Sequence, residues 1–236
     1  MHDFGKLVYL DLQKTGSTFV SRFLSETCNL RVVREWKHGR IYSRRRRNVF
    51  YFITVRHPVA QYSSLFRYGL DRKGALYERL AQFGFANLYN SNPSAFSRWL
   101  RFILDHGNAK YLGEGFEQIP ASYNIGFLSY RFLMLSFSHP EATMLRKPIS
   151  MDILRYLQEK SIVNHVIKNE QLDEGLIELA TKIKPEYFYQ EKVREFFETN
   201  TRANKAKISA EMIGVVERDL QEMICEKERV LCSFYS

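Results

Sequence analysis

Cysteine is scarce: Cys28, Cys225 and Cys232 are the three in 236 residues. They lack metal-ligand spacing, so neither a zinc module nor a disulfide framework is expected. Free thiols in a reducing compartment fit better, with Cys225–Cys232 the one bridge left open. Long apolar runs are lacking too, and none approaches the roughly 20 residues of a membrane span. No leader is apparent, because the first residues run straight into a strand. Repeats and low-complexity linkers are missing, so one domain over residues 1–236 is expected. The full phosphate loop G-x-x-x-x-G-K-[ST] is absent. So is an Asp placed to hold magnesium at the end of a second strand, which counts against an ordinary ATPase or GTPase.

What is present is ordinary globular composition, 45% hydrophobic and 26% charged. Two segments concentrate the chemistry. Leu7 to Leu12 is a short apolar run, as expected of a buried parallel strand. Phe19, Val20, Phe23 and Leu24 then recur at helical spacing, which leaves Lys14 to Ser17 as the strand-to-helix turn. N–H groups at a helix start lack partners, and the macrodipole adds positive potential, so an anion fits there. Gly16 permits close approach, Ser17 and Thr18 add hydroxyls, and Lys14 adds a full charge. A plain helix N-cap at Thr15 or Ser17 would read the same way. The second segment is a β-branched and aromatic strand from Val49 to Val55, followed by Arg56, His57 and Pro58. Pro58 suits a first helical turn. Arg56 leaves the carboxyl end of a strand, where open α/β sheets bind ligands. Its guanidinium suits a phosphate. Ser64 follows six residues after Pro58, roughly 9 Å along a helix. A surface Arg and a solvent-facing Ser are the plain alternative.

Together the segments resemble the sulfotransferases that use 3′-phosphoadenosine 5′-phosphosulfate (PAPS). The family's 5′-phosphosulfate loop typically reads P-K-T-G-[GS]-T, and here it is Gln13-Lys14-Thr15-Gly16-Ser17-Thr18. Its 3′-phosphate motif, R-x-P-x5-S, matches Arg56, Pro58 and Ser64. Gln13 replaces the usual proline, and His57 stands where Asp or Asn is common. Val166 to Leu172, Glu198 to Arg202 and the terminal Phe234-Tyr235 resemble later parts of the carbohydrate branch.

The resemblance implies an α/β fold, a central parallel sheet flanked by helices of the P-loop-like sulfotransferase type. It also implies transfer of a sulfuryl group from PAPS to a carbohydrate hydroxyl, releasing adenosine 3′,5′-bisphosphate. Lys14 would neutralise the bridging oxygen, and amides from Thr15 to Thr18 would hold the 5′-phosphate. Arg56 and Ser64 would hold the 3′-phosphate, joined by Arg202 and, more weakly, Lys205 and Lys207. No metal is required, since lysine and helix terminus supply positive charge. The family's base is Glu or His just after the second strand, where Glu35 and His38 stand. His38 is favoured because an unperturbed imidazole titrates near operating pH; Glu35 would then neutralise nearby arginines, and His57 is the third candidate, with plain packing as its alternative. Lacking an anchor, such an enzyme would be bacterial and cytoplasmic, at most peripheral to the membrane's inner face.

The charge is uneven. There are 26 Asp and Glu against 35 Lys and Arg, a net +9. Arg31, Arg34, Lys37, Arg40, Arg44, Arg45, Arg46 and Arg47 face one acid, Glu35, so residues 31–47 hold seven of those nine charges. A solvated loop is the plain reading. An anionic or lipid-linked carbohydrate acceptor, or an anionic membrane surface, is the preferred partner; nucleic acid is not expected, because no recognition module accompanies the run. Two other functions stay open: a P-loop kinase-like phosphotransferase, or a non-catalytic basic module for anionic glycan or membrane.

Further along, residues 72–107 read as mostly helical, broken near Asn90 to Pro93, with an aromatic stripe from Tyr77 to Phe102 expected in the core. Gly107, Gly113, Gly115 and Pro120 mark a loop facing the site. Helices are expected at 125–137, 150–160, 171–183 and 209–226, and a strand at 162–168.

Overall fold

The computed structural model describes residues 1–42, 45–200 and 216–235. The chain divides into two compact units. The first comprises the described residues of Met1–Arg56, Met134–Pro140 and Lys160–Ala206; the second, those of His57–Leu133, Glu141–Glu159 and Lys207–Ser236. The strands are β1 (His2–Asp3), β2 (Leu7–Leu10), β3 (Arg34–Glu35), β4 (Phe50–Val55) and β5 (His165–Lys168). The helices are α1 (Ser17–Thr27), α2 (Pro58–Leu70), α3 (Ala75–Gln82), α4 (Ala95–Leu104), α5 (Ala109–Leu112), α6 (Phe127–Ser136), α7 (His139–Met144), α8 (Ile153–Lys160), α9 (Leu172–Glu178), α10 (Gln190–Thr199), α11 (Arg218–Lys227) and α12 (Arg229–Cys232).

All five strands among the described residues lie in the first unit, in the order β3-β1-β2-β4-β5. β2, β4 and β5 pair in parallel, with Leu10 opposite Ile53 and Val55 opposite Lys168. β1 runs antiparallel to both β2 and β3. The expected parallel sheet is therefore corrected to a mixed one, in which four of five strands share a direction. The cause is a tight reversal after β1. Gly5 takes φ 79°, Asp3 Oδ1 accepts from Gly5 N at 2.8 Å, and so short a link can join only antiparallel neighbours.

The expected strand at Leu7 shortens to Leu7–Leu10, fully buried as a central parallel strand requires. α1 turns Val20, Phe23 and Leu24 into the core of this unit, beside Tyr9, Phe52, Leu172, Leu176 and Phe196. Phe23 meets Phe196 edge-on, ring centroids 5.3 Å apart. α10, which no sequence pattern had announced, thus covers α1. The expected helix at 171–183 is α9 continued by a π-helical turn, Leu179–Ile183.

The second unit is helical. Its aromatic stripe is core in part: Trp99 is fully buried, while Phe83 is exposed. Phe66 lies against Tyr89, Phe96 and Trp99 at 5.4–5.6 Å. The stretch expected as a loop near Gly107 to Pro120 instead holds α5 and a 3-10 turn, Phe116–Gln118. Glu228 is fully buried. It accepts from Tyr62 Oη, from Ser129 N at 2.6 Å and from Leu128 N at 3.3 Å. Those two amides belong to the first turn of α6, which has no acceptor of its own. Burial pushes the Glu228 carboxyl above the ordinary range, although these hydrogen bonds pull the other way. The cysteines are free thiols. Among the described residues, no helix is long and apolar enough to cross a membrane.

Candidate functional site

The parallel register brings three carboxyl ends to one edge of the sheet. Asp11 to Ser17 follow β2, Arg56 follows β4 and Asn169 follows β5. All belong to the first unit. The turn after β2 has a specific backbone: Lys14 at φ 67° and Gly16 at φ 92° are both left-handed. For Lys14 that conformation costs about 1–3 kcal/mol, and such turns present successive N–H groups as an anion-binding concavity. Gly16 has no room for a side chain. A Cβ there would lie 2.6 Å from Asn169 Nδ2 and 2.7 Å from Leu172 Cδ2. Gly16 also opens α1: its carbonyl accepts from Phe19 N at 3.0 Å and Val20 N at 3.2 Å. The earlier amides of that turn have no intrahelical acceptor.

A buried hydroxyl chain fixes the turn to the sheet. Thr15 Oγ1 donates to Leu12 O at 2.7 Å. That commits its proton, so Thr54 Oγ1, 2.6 Å away, donates to Thr15. Tyr9 Oη, at 2.8 Å, then donates to Thr54. Thr15, fully buried, thus turns its hydroxyl inward and can offer a ligand only its backbone. Ser17 is half-buried and Thr18 exposed. Arg56 Nη1 donates to Lys14 O at 3.4 Å, so the guanidinium lies against the backbone of the turn after β2.

Ser64 is half-buried in α2, in the second unit. Arg202, Lys205 and Lys207 lie outside the described residues. His57 meets Tyr235 edge-on, centroids 5.3 Å apart.

The two candidate bases have different surroundings. His38 takes left-handed backbone, φ 54°. Its Nδ1 lies 3.2 Å from Asp11 Oδ2 and 3.1 Å from Asp11 O, and its backbone N–H donates to Asp11 Oδ2 at 3.3 Å. With two oxygens facing Nδ1, the proton belongs there, and Nε2 is left as the basic nitrogen. Asp11 is buried. Burial opposes its ionisation, but the hydrogen bonds and charge of His38 outweigh that, and its pKa lies below the ordinary value. Glu35 instead faces His2, Oε1 to Nδ1 at 3.2 Å, and His2 Nε2 lies 2.8 Å from Ser21 Oγ. That chain ties β3, β1 and α1 together.

Asp11 was not singled out as a site residue from the sequence. The signal was there: one acid inside Leu-Val-Tyr-Leu-Asp-Leu, where a buried charge must have a partner. Among the described residues of the basic stretch, Arg34 and Glu35 form a strand. Ser43 and Arg44 lie outside the described residues. Arg46 pairs with Asp3 at 2.8 Å. Among the described residues, Arg31, Arg34, Lys37, Arg40, Arg45 and Arg47 have no ion pair. Among them too, no cluster of three or more His, Cys, Asp or Glu could hold a metal ion. Comparison with protein-family models, with curated proteins and with solved structures found no match to the chain.

Proposed function

We propose that the chain is a PAPS-dependent sulfotransferase acting on a carbohydrate hydroxyl, and that its mixed α/β sheet is a variant of the P-loop-like sulfotransferase fold. The observation that carries this reading is the turn itself. Two left-handed residues, a lysine on one of them, open a helix at the carboxyl edge of parallel strands, with Arg56 beside it. That arrangement suits a dianionic phosphate without requiring the glycine-lysine order of nucleotide triphosphatases.

In this reading, first-turn amides of α1 and Lys14 hold the 5′-phosphosulfate, and Arg56 holds the 3′-phosphate. The acceptor oxygen forms its bond to sulfur as the bond from sulfur to the bridging phosphate oxygen breaks. Lys14 neutralises the charge gathering on that bridging oxygen. His38 Nε2 takes the proton of the acceptor hydroxyl, with Asp11 holding Nδ1–H as a positioning residue. Glu35 is the weaker candidate base, because His2 occupies one of its oxygens.

The test is thermal. Adenosine 3′,5′-bisphosphate is expected to raise the melting temperature more than ATP with magnesium does. Equal or reversed shifts would defeat the proposal, and a reversed order would favour a phosphotransferase.

A further inference from the structure

Two of the largest exposed side chains lie face to face on the basic stretch. Trp36 and Tyr42 stack with ring centroids 5.3 Å apart and planes 14° from parallel. They are 45% and 57% exposed. Each is held from behind. Trp36 is fixed by its backbone, its N–H donating to Met1 O at 2.9 Å and its carbonyl accepting from Gly39 N at 2.9 Å. The turn at Gly39 folds so closely on the indole that a Cβ there would lie 2.4 Å from it. Tyr42 rests on the His139 ring, centroids 5.8 Å apart. All of these belong to the first unit.

Rings of this size ordinarily bury their area, so an ordered pair left half in water marks a contact surface. The surroundings say of what kind. Arg34 stands two positions before Trp36 and Lys37 one after it, both exposed and without an ion pair among the described residues, while Glu35 between them is paired with His2, and Arg40 precedes Tyr42 by two positions. A ligand here must offer a flat apolar face and negative charge together. A pyranose carrying a carboxylate or sulfate does: its C–H surface covers the aromatic area that the pair leaves exposed, and its acid groups meet the cations. The surface is also two residues along the chain from His38, the imidazole set up by Asp11.

We infer that the exposed surface of the Trp36–Tyr42 pair forms an apolar platform for an anionic saccharide, with Arg34, Lys37 and Arg40 receiving its acid groups. This rests on the reading of His38 as the group that meets an acceptor hydroxyl, and it assigns the acceptor class. The sugar packs on the rings, its neighbouring unit reaches the imidazole, and a neutral glycan loses the charged part of the contact.

The native chain supplies its own reporter. Of its two tryptophans, Trp99 is fully buried, so emission that aqueous acrylamide can quench comes from Trp36. A uronic-acid hexasaccharide should protect that emission saturably, and a neutral hexasaccharide should do so about tenfold more weakly. Tyr42→Ala, a surface change, should weaken binding of the acidic hexasaccharide by about tenfold, read by calorimetry. Arg34→Gln with Lys37→Gln should flatten its dependence on salt. The inference fails if quenching is unchanged by the acidic saccharide, or if Tyr42→Ala binds it as well as the native chain. It fails equally if a thymidine oligonucleotide or phosphatidylserine vesicles protect Trp36 and the saccharide does not. The donor plays no part in this assay, so an inactive bisphosphate in the melting experiment leaves the result readable, and the reverse holds.

Discussion

Two histidine–carboxylate pairs of the first unit are equal in length. His38 meets Asp11 at 3.2 Å, and His2 meets Glu35 at 3.2 Å. Their carboxylates differ: the Asp11 side chain is 2% exposed and that of Glu35 is 60% exposed. Water screens the Glu35 pair, and a pair of that kind contributes about 0–1 kcal/mol. Asp11 has little water to turn to. Its second oxygen, Oδ1, is buried and has no hydrogen-bond partner among the described residues, so His38 is the main group that offsets its charge. The lesson is that distance alone does not identify a working imidazole. A buried carboxylate fixes the proton on one ring nitrogen, whereas an exposed one merely visits the ring.

The contrast can be broken experimentally, starting where the effect is largest. His38→Ala should lower transfer by about 10²- to 10⁴-fold, the usual worth of a positioned base. His2→Ala should leave it within about twofold, since that pair lies outside the proposed chemistry and is screened. If both fall alike, the two pairs are not functionally distinct. Replacing the carboxylates comes next. Asp11→Asn should reduce kcat by about 10- to 100-fold with the donor KM unchanged, while Glu35→Gln should alter neither. A matching loss in the donor KM would mean that Asp11 only supports the phosphate turn.

Acid stability is a smaller and independent measure. The Asp11 pKa is lower folded than unfolded, so its ionised form stabilises the native state at neutral pH. That contribution is full above the unfolded value, about 3.9, and is lost as pH falls through the lower folded value. Equilibrium unfolding of Asp11→Asn should therefore show a flatter acid limb than the native chain. The smallest expected effect is on Glu35→Gln, which should change stability by less than about 1 kcal/mol at any pH. A larger loss would show that the chain through His2 to Ser21 is a structural anchor.

Much of this arrangement was legible beforehand, for reasons that particular residues make plain. β2, β4 and β5 are apolar runs, and Gly16 and Pro58 mark helix starts, so the edge carrying Lys14 and Arg56 could be placed from spacing. β1 could not, because two residues, His2 and Asp3, carry no periodicity, and its reversal depends on a turn with an Asp3 side-chain bond. α10 went unread since its apolar positions, Val193 and Phe196, matter only against α1. Asp11 was taken for part of a strand because its partner stands 27 positions away. The direction of the Thr15 hydroxyl was likewise invisible, being set by Thr54 on the neighbouring strand.

The hydroxyl chain from Tyr9 through Thr54 and Thr15 to Leu12 has a thermodynamic corollary. A turn already pinned to the sheet has little disorder to surrender when an anion arrives, so association there resembles a rigid receptor meeting its ion. Calorimetric titration of a phosphate-bearing nucleotide should then give a binding heat that varies little with temperature, without the large heat-capacity drop of a loop that folds around its guest.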